Sequence, residues 1–169
     1  MWKLVGAVLV AAGSGWLGLS AASGLTNRLR AVQAMIAGLE LLERELWEHG
    51  TALPELLAAL ARRCPPPAAD FFKQCAQGCA RLDRVPFGES WRQAVAELEI
   101  LSPEGRAALL PLGEVLGRYE ADSQRQALEH ARQALEREEL RAQEERRRLG
   151  RVYQTLGLSG GAFLVILLL

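Results

Sequence analysis

Two stretches of this chain carry no charged side chain: Leu4 to Asn27 near its start and Val152 to Leu169 at its end. Between Arg28 and Arg151 lie 39 of the 40 charged residues, 19 basic and 20 acidic. Average composition hides this division, since 50% hydrophobic residues, 24% charged residues and zero net charge describe an ordinary globular domain. Those averages exclude a disordered chain, a small disulfide scaffold and a strongly basic nucleic-acid binder. The distribution predicts three parts. Residues 1–26 form an N-terminal transmembrane helix, residues 27–151 a cytoplasmic helical bundle, and residues 152–169 a C-terminal transmembrane helix.

Crossing the hydrocarbon core takes about 20 helical residues, because each rises about 1.5 Å through about 30 Å. Leu4 to Leu25 meets that length, and its Gly6, Gly13, Gly15 and Gly18 suit close packing between membrane helices. The tail would reach about 27 Å as a helix, and Phe163 to Leu169 are all apolar. A cleavable signal peptide is the competing reading of the start, resting on Lys3 and the small residues Ser20-Ala21-Ala22. The apolar run is longer than a signal core, and no helix breaker precedes the supposed cleavage site. Arginine placement then sets the orientation. Arg28 and Arg30 follow the first apolar segment, and Arg146, Arg147, Arg148 and Arg151 precede the second. The positive-inside tendency therefore keeps the middle in the cytoplasm.

Proline placement divides that middle. All seven prolines fall between Pro54 and Pro111, leaving both flanks free for long helices. Leu25, Leu29, Val32, Ile36, Leu39 and Leu46 mark one apolar helical face, which ends at His49-Gly50-Thr51. From Asp122 onward, Leu128, Leu135, Ala142, Leu149 and Leu156 recur every seven residues, with Glu138 and Glu145 interrupting the adjoining line. Between these flanks, short helices are expected over Leu53–Arg63, Ala68–Leu82, Ser90–Ile100 and from Ser102 to Gly117, the last with a kink at Pro111. No alternating strand pattern occurs. The fold class is all-α, a bundle of about six helices whose two long terminal helices pack antiparallel and continue into the membrane segments.

The residues offer little for catalysis. Cys75 and Cys79 sit one turn apart, yet neither His49 nor His130 is close in sequence, so the thiols are expected to pack rather than ligate. No phosphate loop, nucleophile elbow or dinucleotide fingerprint occurs, and no carboxylate pair stands out from the charged helix faces. Arg141 to Arg151 is interleaved with glutamates and lacks stacking aromatics, which favours membrane-surface anchoring or partner binding over nucleic acid. Neither enzymatic activity nor a cofactor is expected.

The chain resembles the stage III sporulation protein AB family of endospore-forming bacteria. The resemblance rests on MWKLVGAVLV, on LRAVQAMIAGLELLERELWEHGTALPELLAALARR, and on the helix opening around Trp91. It continues through Leu112-Gly113, Leu116-Gly117 and Gln124, and closes on YQTLGLSGGAFLVILLL. Where the family tends to place Asp four residues before that glutamine, this chain has Glu120, which keeps the charge. The resemblance implies a membrane-anchored platform in a secretion-like channel between mother cell and forespore. It implies similarity to the cytoplasmic domains of type II secretion and type IV pilus platform proteins. The implied partners are a cytoplasmic secretion ATPase, stage III sporulation protein AA, and other stage III sporulation membrane proteins, with self-association open. The implied place is the mother-cell side of the outer forespore membrane. Candidate partner-binding residues are His49, Thr51, Arg118, Glu120 and Asp122, where the two long helices end; capping and turn chemistry also accounts for them. A generic membrane-anchored adaptor and an exported helical protein are the alternatives.

Overall fold

The computed structural model describes residues 2–81, 85–117 and 121–168, with side chains for 23–81, 85–117 and 121–149. Seven helices occur among the described residues: α1 (Trp2–Glu48), α2 (Leu53–Arg63), α3 (Ala68–Cys79), α4 (Phe87–Ala96), α5 (Pro103–Leu109), α6 (Leu112–Val115) and α7 (Ala121–Leu168). The described residues contain no strand, so the all-α expectation holds. One helix more than expected arises at Leu110-Pro111. Proline lacks the N–H that would continue the ladder, and its ring blocks the preceding turn. The expected kink therefore separates α5 from α6, with Leu110 and Pro111 keeping right-handed helical backbone between them. The chain divides into two compact units, residues 30–140 and the remainder.

Within residues 30–140, α1 and α7 run antiparallel. Gln33 Nε2 donates to Glu139 Oε1 at 2.8 Å, Arg132 lies 3.8 Å from Glu43, and the Arg125 guanidinium sits 5.2 Å from the Trp47 ring. Partners advance along α1 as they retreat along α7. The heptad stripe points inward, with Leu128 and Leu135 buried, and Ala131 on the adjoining line is buried beside them. The α1 stripe is broader than one face: Ala31, Ala34, Met35 and Leu42 join Val32, Ile36 and Leu39 in burial. Short helices cover that second side.

Aromatic residues organise the cover. Phe72 of α3 packs where Gly38 of α1 leaves room, since a Cβ at 38 would stand 2.6 Å from the ring. Phe71 meets Trp91 of α4 edge-on at 4.8 Å, and Phe87 lies 5.7 Å from the same ring system. Trp91 is wholly buried, and its Nε1–H donates to the Leu109 carbonyl at 2.8 Å. That bond satisfies the one polar atom of a large apolar side chain and ties α4 to the end of α5.

Glu138, read from the sequence as a break in the heptad line, is instead a buried structural acceptor. Ser102 caps α5 through its Oγ, which accepts from Gly105 N–H at 2.9 Å. In a capping box the third helical residue is Glu or Gln and reaches back to the cap N–H. Here that position is Gly105, and Glu138 arrives from α7 to take the Ser102 N–H at 2.8 Å and its O–H at 2.8 Å. Gly105 must lack a side chain, because a Cβ would collide with the Glu138 carboxylate.

Candidate interaction surfaces

The helix ends that carry the predicted partner-binding residues are built by two glycines. Helix α1 ends at Glu48, and Gly50 follows with φ +58°. Gly117 has φ +76° after α6. Both conformations are left-handed, where a Cβ is strained and glycine is not. A Cβ at Gly117 would stand 3.4 Å from Leu53 Cδ2, so this connector runs beside the start of α2. Together with the Trp47–Arg125 contact, it brings the end of α1, the start of α2 and the start of α7 to one end of the unit.

His49 and Asp122 are exposed there, and Thr51 is half-buried. Arg118 and Glu120 lie outside the described residues. Asp122 occupies the first turn of α7, where a negative charge suits the helix dipole. Sequence reading missed the acceptor at the centre of this end. Glu45 receives Arg63 of α2 at 2.7 Å and faces His49 Nδ1 at 3.4 Å. No spacing in the sequence signals a pair 18 residues apart across a connector.

The arginines next to the uncharged stretches are divided between the two units. In the unit containing residues 1–29 and 141–169, Arg28 lies 3.8 Å from Glu145. Arg146, Arg147 and Arg148 are exposed, as is Arg30 in the other unit; the Arg151 side chain lies outside the described residues. Helical backbone continues through both uncharged stretches, whose side chains up to residue 22 and from residue 150 also lie outside them. Among the described residues, no helix is long and apolar enough to cross a membrane.

The thiols are placed for packing. Cys75 is buried in the core, Cys64 and Cys79 are half-buried, and all three are free. Burial pushes each thiol above its ordinary range, and for Cys75 the neighbouring Cys79 pushes further the same way. Among the described residues, no group of three or more His, Cys, Asp or Glu side chains is arranged to hold a metal ion.

These features define a class, an all-α bundle in which short helices cover two long antiparallel ones. The chain belongs to the stage III sporulation protein AB family, whose family model matches residues 3–169. It is 26% identical over 177 residues to stage III sporulation protein AB of Bacillus subtilis (strain 168), covering 100% of both chains. A solved structure of a stage III sporulation protein AB matches with a TM-score of 0.63 at 22% identity, over 72% of this chain and 97% of that one. That likeness supports the fold.

Proposed function

We propose that this protein is a membrane-anchored scaffold in a sporulation-specific, secretion-like channel between mother cell and forespore. Residues 1–26 and 152–169 would be its two anchors, and residues 27–151 its cytoplasmic domain on the mother-cell side. The carrying observation is the antiparallel pairing of α1 and α7, seen in Gln33–Glu139 and Trp47–Arg125. An antiparallel pair of long helices is the arrangement that two anchors at the two ends of one chain, in one membrane, require. The family membership supports the sporulation setting.

In this reading the connectors bearing His49, Thr51, Arg118, Glu120 and Asp122 dock the cytoplasmic secretion ATPase, stage III sporulation protein AA. Exposed His49 and Asp122 support that assignment, and the ordered Gly50 and Gly117 turns present a defined shape. Charge reversal at Arg118, Glu120 and Asp122 together, followed by co-purification with the ATPase, tests it. A loss of at least about tenfold in affinity is expected for close charge pairs at an interface. Unchanged binding would remove this end from the docking assignment.

A further inference from the structure

Charge is partitioned along the chain more sharply than its zero net value indicates. Residues 31–140 hold 12 basic and 18 acidic side chains, a net charge of −6. Residues 141–151 hold five arginines against two glutamates. With Arg28 and Arg30, the two edges of the charged region carry +5.

The structure sets these edges in register. Arg28 of α1 faces Glu145 of α7 at 3.8 Å, so one of the two acids in the arginine stretch is already engaged by the opposite helix. In sequence, Arg146, Arg147 and Arg148 directly follow Glu145, and the uncharged run Leu4 to Asn27 directly precedes Arg28. Successive helical residues are about 100° apart, so three consecutive arginines fan across about 200° of the α7 surface. All three are exposed.

We propose that Arg146, Arg147 and Arg148 form a collar that binds the phosphates of anionic phospholipids at the cytoplasmic face. This rests on the two-anchor reading above and adds a ligand to it. A guanidinium presents paired N–H donors to phosphate oxygens, keeps its charge at any physiological pH, and buries its aliphatic stem beside apolar surface. Cationic residues at this level suit a negatively charged leaflet, whereas the acidic remainder of the domain does not. Charge complementarity and continuity with the uncharged stretches favour a lipid surface over an acidic protein.

The full-length protein, reconstituted in phosphatidylcholine bilayers, can be probed with spin-labelled phosphatidylglycerol and phosphatidylcholine. The motionally restricted component of the spectrum measures the lipid in contact with the protein. The wild type is expected to favour phosphatidylglycerol by at least about threefold, and this ratio should fall as salt rises from about 0.1 M to about 1 M. In R146Q/R147Q/R148Q the ratio should approach one, with the amount of restricted phosphatidylcholine and the helical circular dichroism unchanged. Equal association of both lipids with the wild type would overturn the collar, as would a variant that keeps the wild-type ratio. Absence of any restricted component for either lipid would overturn the two-anchor reading, and the collar with it.

Discussion

The Glu138 carboxylate accepts two hydrogen bonds from Ser102, one from its backbone N–H and one from its hydroxyl, each at 2.8 Å. Two residues 36 positions apart thereby close a helix cap that adjacent residues usually close alone. The long helix α7 and the short helix α5 are fixed to one another by a buried acceptor as well as by apolar packing, with Glu138 only 4% exposed.

Glu138→Ala should consequently destabilise the protein well beyond the loss of a surface charge. It strands the Ser102 N–H and removes the acceptor of its hydroxyl, and an unmet buried donor costs about 1–3 kcal/mol. Ser102→Ala should cost about 1 kcal/mol, the usual value of a lost cap. Thermal unfolding of the full chain in mild detergent, followed by circular dichroism, checks both. Equal melting temperatures for wild type and Glu138→Ala would show that the cap contributes nothing.

Gly113 is another position where a close approach governs the packing. A Cβ there would lie 2.6 Å from Trp91 Cγ and Cδ1. Trp91 cannot readily retreat, being fully buried and bonded to the Leu109 carbonyl. Gly113→Ala should therefore lower stability, because overpacking costs about 1–3 kcal/mol against a helix-propensity gain of at most about 1 kcal/mol. The same melting experiment, with near-ultraviolet circular dichroism to report the tryptophan environment, reads the outcome.

Cys75 gives the protein a dependence on alkaline pH. Burial, aided by Cys79, holds its thiol above the ordinary value of 9.0, so the folded state keeps a proton that the unfolded state releases. A group whose neutral form is favoured in the fold contributes full stability below its unfolded value, and that contribution declines as pH rises toward the folded value. Stability should thus fall above about pH 9, with a shallower decline in Cys75→Ala. Because the thiolate is the nucleophile, iodoacetamide should also label Cys75 more slowly than free cysteine at pH 8. Parallel pH profiles for the two proteins would contradict this account.

Much of the architecture is legible in the residues, for reasons specific to each part. Leu128 and Leu135 announce α7 because a helix repeats its apolar contacts every seven residues, and both are buried as that repeat requires. Ser102-Pro103 marks the start of α5 because capping is a local matter. Glu138 was misread because its partner comes from a distant helix, and a heptad count treats any carboxylate on the seam as an interruption. Gly38 and Gly113 also depend on which ring the fold sets against them, Phe72 and Trp91 respectively. Of the candidate partner-binding residues, His49 and Asp122 stood out as helix-end positions, but the nearby Glu45–Arg63 pair needed the fold to become visible.

The central claim is that both ends of the chain enter the membrane from one side, with the domain between them in the cytoplasm. Fusions of alkaline phosphatase, which is active only when exported, test it directly in cells making the protein. A fusion after Leu169 should be active and one after Gly117 inactive, each judged against equal fusion-protein levels. Activity in the fusion after Gly117 would place the domain outside the cytoplasm and contradict the account.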